Sequence, residues 1–586
     1  MNPFSDNPSW LWNFKHGIDW KTLLSLYYPN RPNVHELDTD EEIKEFLHDV
    51  LDSIGQWSTE SISRINKELD EHGAGEVKDG ETIPSQALKK LYEEASQREV
   101  LGLNIPSRFG GLEAPTSIQL LAIGLYSYGS QGASAQLSFF TVIADMIHRL
   151  CPEEFHEKDI PRIVAGELSG SMCLTEPGTG SDLGSIKTTA RLQDDGTYLL
   201  DGSKMFITNA GGGVAFVLAK TPDAKKGLEG LSLFYLHQKN NDGSLNFKVT
   251  KNEHKMGMHG SFTCEVIYEK SRGHIIGKEG EGFEHMLELM NEARIATGLQ
   301  ALGGLDAVLK DAKDYASTRQ QFGRPIAELP LMERNLSDME TEIQALTSFC
   351  FDTISHYDIY QFLNNKKQKS GDLTHEEEVL LKKNFKITRR RTPLIKYMMT
   401  EAYTRISTKG IQVFGGYGYM KEYPMEQHHR DSFGPLLYEG TSQIQALMAM
   451  KDILKSTMKD PAGTFLSYLK NLPVRSALGN EVERGFGFLK SQFQTQLYKL
   501  IIKTLKPDEG SFFQLENWTS QEGSEKLMRH AETICQALGH VEVLEILKEQ
   551  AELETPEKAE RQATYERALK LFKPRLEGIY TDWGQL

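Results

Sequence analysis

The chain predicts a mainly α-helical protein with a central antiparallel β-domain, and three stretches carry that prediction. Between residues 38 and 165 apolar side chains recur at helical spacing, as in Ile43, Phe46, Leu47, Val50, Leu51 and Ile54, with breaks at Asp79-Gly80 and from Pro106 to Pro115. From Met172 to about Gly277 the pattern shortens to apolar or alternating runs: Tyr198 to Leu200, Met205 to Ile207, Val214 to Ala219, Leu231 to Leu236 and Glu265 to Tyr268. Gly, Asn and Asp turns separate them, as between strands. From Phe283 to about Leu454 helical periodicity returns over long segments, with Met286, Leu289, Met290, Ala293 and Ala296 on one apolar face of a bundle. After Pro461 a further helical pattern runs through Phe465–Leu472, Glu483–Leu505, Ser524–Leu538 and Val541–Leu553. The implied division is 1–170, helical; 171–282, β; 283–460, helical bundle; and 461–586, a helical extension.

With 586 residues, 39% of them hydrophobic and 25% charged, the chain is long enough for several domains around a large core. Its five cysteines (Cys151, Cys173, Cys264, Cys350, Cys535) are scattered without any CxxC, so neither a disulfide framework nor a metal site is indicated. A formal charge of −16 argues against a general nucleic-acid binder, whose affinity comes mainly from neutralising phosphates. The aromatic N-terminal segment (Trp10, Trp12, Phe14, Trp20, Tyr27, Tyr28) lacks the pattern of a signal or transit peptide and is expected to pack on the protein's own surface. No apolar run reaches membrane-spanning length, and an intracellular, in a bacterium cytoplasmic, location is expected.

The run L-L-Y-E-G-T-S-Q-I, Leu436 to Ile444, sets one carboxylate, Glu439, against a glycine in otherwise apolar or hydroxyl-bearing surroundings. A desolvated carboxylate suits proton abstraction, and Gly440 lets a ligand approach the backbone closely. Alone, the run equally suits a helix N-terminus with Thr441 and Ser442 as cap hydroxyls.

Four further segments accompany it: M-C-L-T-E-P-G-T-G-S-D (Met172 to Asp182), D-G-S-K-M-F-I-T-N (Asp201 to Asn209), R-Q-Q-F-G-R-P-I (Arg319 to Ile326) and Q-V-F-G-G-Y-G-Y (Gln412 to Tyr419). In words, order and spacing, over roughly Thr82 to Leu454, the chain resembles the flavin-dependent acyl-CoA dehydrogenase family. The resemblance implies that family's fold, FAD as cofactor, an acyl-CoA substrate, an electron-transferring flavoprotein as partner, and a homo-oligomer, either a dimer or a dimer of dimers. By the same resemblance Glu439 is the base that takes the proton alpha to the thioester while the flavin takes a hydride from the beta carbon. The thioester oxygen is then held by the base's own N–H and a ribityl hydroxyl of the FAD. Some branches place the base just before the arginine equivalent to Arg294. Here Ala293 stands there, and Glu292 points about 100° round the helix, away from that position.

The resemblance also distributes the cofactor. Met172, Leu174, Thr175, Gly180 and Ser181 meet the isoalloxazine edge, with Phe206, where many relatives have tryptophan, and Thr208 beside the ring. Thr441 and Gln443 complete that side. Arg319, Gln321, Phe322, Gln412, Gly415 and Gly416 reach the pyrophosphate and adenosine of a neighbouring subunit's FAD. Ser181, Arg294, Tyr438 and Gly440 are the implied substrate contacts, Ser181 near the pantetheine and Arg294 near the adenine end. Pro330 departs from the family, where a glutamine often contacts the nucleotide.

The long polar loop Asn364 to His375, the basic run Lys382, Lys383, Lys386, Arg389, Arg390 and Arg391, and the C-terminal extension resemble the long forms of the family, the 3-methylmercaptopropionyl-CoA dehydrogenase-like branch above all. The basic run reads as a solvated helix face. The extension carries no clustered chemical motif, which makes it a structural cover or an interface. Two functional classes stay open: a dehydrogenase, and a flavin-binding relative with a binding or assembly role, including nucleic-acid-associated members.

Overall fold

Thr39 caps the first long helix of the core. Its hydroxyl accepts from the Glu42 N–H at 3.2 Å while the Glu42 carboxylate accepts from the Thr39 N–H at 2.9 Å, and the helix then buries Ile43, Leu47, Leu51 and Ile54. The computed structural model describes residues 1–222, 224–459, 481–505 and 521–585. Its first part comprises α1 (Pro8–His16), α2 (Trp20–Tyr27), α3 (Asp40–Trp57) and α4 (Ser63–His72), the hairpin β1 (Gly75–Lys78) and β2 (Glu81–Pro84), then α5 (Gln86–Gln97), α6 (Thr116–Gly129), α7 (Gln131–Leu150) and α8 (Glu153–Val164). The hairpin turns at Asp79-Gly80, where the sequence reads only a break, because strands of four residues are too short to display a period. The N-terminal aromatics do pack inward: Trp10, Trp12, Phe14 and Trp20 are buried, and the Trp10 indole N–H donates to Asp306 at 2.8 Å.

The β-domain contains β3 (Ser169–Cys173), β4 (Thr189–Leu192), β5 (Tyr198–Thr208), β6 (Gly213–Lys220), β7 (Leu231–His237), β8 (Lys248–Asn252) and β9 (Thr263–Ile276). Pairing runs β6-β4-β5-β9-β7 and back to β6, closing a small barrel, with β3 flanking β6 and β8 flanking β9. The expected antiparallel pairing holds for β4–β5, β5–β9, β6–β7, β7–β9 and β8–β9, while β3 and β4 both run parallel to β6. Alternation tells which face a residue takes, not which way the neighbouring strand runs.

The bundle is built from α9 (Gly282–Thr318), α10 (Pro330–Ser370) and α11 (His375–Phe414), crossed by α12 (Pro424–Leu437) and α13 (Ser442–Lys459). α6, buried on nearly every face, lies so close to α9 that a Cβ at Gly303 would come within 2.0 Å of the Gly124 carbonyl oxygen. Pro330 takes the first-turn position of α10, where a missing N–H is harmless. The expected loop from Asn364 to His375 shrinks to four residues, 371–374. α10 continues to Ser370 and stops at Gly371 (φ +73°), and Thr374 and Glu377 form a reciprocal cap on α11. This polar stretch is helical without an apolar stripe, braced by the Lys366–Glu377 pair at 2.7 Å.

The extension adds α14 (Glu481–Leu505), α15 (Gln521–Met528), α16 (Ala531–Ala551) and α17 (Lys558–Gln585). The expected helix Phe465–Leu472 lies outside the described residues. The break expected near Gly539 falls instead at Arg529-His530, and α17 has no counterpart in the sequence reading. The basic run is only partly solvated: Lys382, Lys383 and Lys386 are exposed, but Arg389 binds Asp452 through two hydrogen bonds at 2.8 and 2.6 Å. Arg390 pairs with Glu542 at 3.0 Å, and buried Arg391 pairs with Glu542 at 3.1 Å and with Asp352. Half of this run therefore fastens α11 to its neighbours, Arg389 to α13 and Arg390 and Arg391 to α16. Among the described residues no helix is long and apolar enough to cross a membrane.

Candidate active site

Glu439 occupies the turn between α12 and α13 with φ +55°, followed by Gly440 at φ +93°. A side chain in the left-handed region costs roughly 1–2 kcal/mol, so the turn needs outside support. It comes through main-chain carbonyls. Arg294 Nε donates to the Glu439 carbonyl at 3.3 Å and Gln445 Nε2 at 2.7 Å, while Lys396 Nζ donates to the Leu436 and Gly440 carbonyls at 3.0 and 2.6 Å. The Glu439 N–H has no acceptor among the described residues. Burial raises the Glu439 pKa, opposed by the charges of Arg294 and Lys396. Reciprocally, burial lowers Lys396 to about 8, opposed by Glu439.

Arg294, expected toward the adenine end of a bound CoA, is buried beside the base, with Nη1 held by Asn291 Oδ1 at 2.7 Å. Its reach from α9 to the turn places its guanidinium beside Glu439. The Tyr438 hydroxyl donates to Gln300 on α9. Glu292 is engaged elsewhere, accepting from Arg149 at 3.1 Å and from Tyr357 and Gln361 at 2.8 Å each.

The β-domain side converges on the loop after β3. Lys204 Nζ, fully buried on β5, donates to the Leu174 carbonyl at 2.9 Å and to Glu176 at 2.8 Å, and the Met205 N–H donates to the Thr175 carbonyl at 3.0 Å. Burial opposes ionisation of Glu176, but Lys204 and the Thr188 and Lys187 donors outweigh it and hold the carboxyl below its ordinary range. Met172 lies next to the end of β3, and Gly180 and Ser181 lie exposed further along the loop. Phe206 stands out from β5 at φ +61° and 57% exposure, its ring without an aromatic partner among the described residues, and Thr208 closes the strand.

The third group forms a separate cleft of 520 Å³, lined by Arg319, Gln321, Gly415 and Gly416 together with Tyr315, Ile326, Val413, Phe414, Tyr417 and Met420. Arg319 lies over the Tyr417 ring at 5.6 Å, and a Cβ on Gly415 or Gly416 would meet nothing within 4 Å. That open backbone beside an arginine and stacked rings fits a nucleotide's phosphates and base. Gln412 and Phe322, expected here, do not line the cleft; Phe322 is 89% exposed at the tip of a hairpin. Thr441 precedes α13, and Gln443 donates to Glu532 of the extension at 3.3 Å.

Lys396, Gln445, Lys204 and Glu176 are absent from the sequence prediction. Lys396 had a signal: one lysine inside Pro393-Leu394-Ile395-Lys396-Tyr397-Met398-Met399, where a charge cannot be buried without partners.

Models of the acyl-CoA dehydrogenase N-terminal, middle and C-terminal domains match residues 41–167, 171–271 and 280–454. An acyl-CoA dehydrogenase of Bacillus subtilis is 34% identical over 379 residues, 64% of this chain and 91% of the relative. The chain belongs to the acyl-CoA dehydrogenase family. Members are FAD-dependent oxidoreductases acting on CH–CH bonds of acyl-CoA thioesters. A 3-methylmercaptopropionyl-CoA dehydrogenase of Ruegeria pomeroyi is 27% identical over 441 residues, 71% of this chain and 72% of the relative, in keeping with the likeness to that branch. The fold extends beyond the matched domains: an acyl-CoA dehydrogenase from Bacillus anthracis complexed with FAD superposes with a TM-score of 0.73 at 21% identity, over 95% of this chain and 91% of that one.

Proposed function

We propose that this acyl-CoA dehydrogenase desaturates an acyl-CoA to the trans-2-enoyl-CoA, with Glu439 as base and an electron-transferring flavoprotein taking the electrons. The observation that carries the reading is a carboxylate raised in basicity by burial, on a left-handed turn whose main-chain carbonyls are held by Arg294, Lys396 and Gln445. Glu439 removes the alpha proton, and the C–H electron pair left behind forms the double bond as the beta hydrogen departs with its pair. When bound, FAD supplies the oxidised ring that accepts this hydride. The unpaired Glu439 N–H hydrogen-bonds the thioester oxygen as negative charge develops there, and Arg294 and Lys396 keep the carboxylate ionised until it is needed. Tyr438 and Gly440 wall the site, and Ser181 contacts the pantetheine. Purified protein should be yellow and bleach with saturated acyl-CoAs in the absence of an acceptor. No bleaching across a panel of chain lengths would favour the flavin-binding relative without dehydrogenase activity.

The nucleotide cleft is proposed to receive FAD from a second chain, making the protein at least a dimer with about one FAD per chain. Arg319 is exposed, so Arg319→Ala should change stability by no more than about 0.5 kcal/mol while lowering flavin occupancy. Absorbance stoichiometry and size-exclusion mass measure both, and a fully flavinated monomer refutes the shared site. The alternative of a nucleic-acid role predicts tight binding to duplex DNA through Lys382 to Arg391. Since Arg389, Arg390 and Arg391 are already paired with carboxylates, none is expected at physiological salt in a filter-binding or anisotropy assay.

A further inference from the structure

Lys396 belongs to none of the motifs that mark the site, and it has no exposed surface. A buried ammonium is retained only where its partners repay its lost hydration. Here the partners are specific. One Nζ reaches the Leu436 carbonyl at the end of α12 and the Gly440 carbonyl just past the base, spanning Glu439 from both sides. The Leu436 carbonyl belongs to the last turn of α12, where carbonyls have no partner within the helix and a cation is favoured. Gln445 shares the Gly440 carbonyl only at 3.4 Å, so the lysine bond at 2.6 Å is the main restraint on that peptide.

Taking Glu439 as the base, as proposed above, we infer that Lys396 is a positioning residue for proton abstraction: it fixes the left-handed turn that aims the carboxylate and supplies a charge that keeps it ionised. The charged groups facing it are Glu439 on the turn, Arg294 on α9 and Glu401 on its own helix. Glu401 is itself bound by the Ser442 hydroxyl at 2.5 Å, which leaves Glu439 as the carboxylate that gains most from the lysine. Packing alone would be met by an apolar residue of the same length; the two carbonyl bonds and the charge would not.

The test uses the FAD-loaded full-length protein with butyryl-CoA and octanoyl-CoA as probes. Lys396→Met should keep its flavin and bind both thioesters within about threefold of the parent. Flavin bleaching should slow by between about tenfold and a hundredfold, the scale of a small misplacement of a reacting group. The acid limb of its rate against pH should move up by about one pH unit, because Glu439 has lost a cation. Lys396→Arg, which keeps the charge, should leave that limb where it is even if its rate falls. An unchanged rate and limb in Lys396→Met overturn the inference. So does a slow Lys396→Met whose acid limb has not moved, which would mean packing alone. Should the methionine variant fail to fold, Lys396→Gln, which keeps a donor and loses the charge, is read by the same two measurements. Glu439→Gln run alongside separates the two claims: an active Glu439→Gln removes the base assignment, whereas an inactive one beside a normal Lys396→Met counts against the lysine only.

Discussion

Glu439→Gln should reduce the rate of flavin bleaching by at least about 10² to 10⁴, the usual contribution of a general base, with the loss falling on kcat rather than on thioester binding. The architecture of the turn makes this a clean substitution. Arg294 and Gln445 hold residue 439 by its carbonyl oxygen, not by its carboxylate, so the amide inherits the same restraints and the same volume. Flavin content and melting temperature should therefore stay near those of the parent. Stopped-flow absorbance with an excess of acyl-CoA measures the rate, and equilibrium titration measures the binding. Near-normal bleaching would place the base elsewhere. Glu292 would be the first alternative, although Arg149, Tyr357 and Gln361 already occupy its carboxylate.

Glu342→Ala should lower stability by about 3 kcal/mol. Glu342 on α10 is buried and accepts two hydrogen bonds from Arg405 on α11, at 2.9 and 2.6 Å, and two from Arg575 on α17, at 2.7 and 2.9 Å. Burial raises its pKa, but the two guanidinium groups outweigh this and hold it down to about 2. A carboxyl depressed in the folded state contributes its full stability above its ordinary value near 4.5 and loses it as pH falls toward 2. The parent should thus lose stability across that window, and Glu342→Ala should show a flatter acid dependence and an earlier release of α17 to protease. Denaturant melts from pH 6 down to pH 3 provide the comparison, and parallel curves for the two proteins would show that the pair contributes nothing.

The helices and the motif positions were legible because they rest on local signals. Periodicity found α3 and the long bundle helices, and turn residues bracketed β6 and β7, but Asp201-Gly202, expected to part Tyr198–Leu200 from Met205–Ile207, is only an irregularity inside the single strand β5. What escaped depends on partners distant in sequence. α17 carries Tyr565, Ala568, Leu569, Phe572, Leu576, Ile579 and Trp583 on one buried face, a readable stripe, but Pro574 in its middle reads as a stop. The parallel pairing of β3 with β6 joins strands about forty residues apart, beyond the reach of alternation. Around Glu439 the run itself marked the carboxylate proposed as the base, yet two of the groups that hold its turn, Arg294 and Lys396, come from α9 and α11, 145 and 43 positions earlier. A buried lysine among aliphatic residues is the one such partner that composition could have flagged.

The left-handed backbone at residue 439 also bears on how this protein would respond to selection for heat resistance. Glycine adopts φ +55° without steric cost, so Glu439→Gly relieves local strain by roughly 1 kcal/mol and removes a partly buried charge, against which stands the extra freedom glycine gives the unfolded chain. Screens that score survival of heating alone would therefore tolerate loss of the residue proposed as the base. On that proposal durability and turnover pull in opposite directions at residue 439, and a stabilising library should hold it fixed.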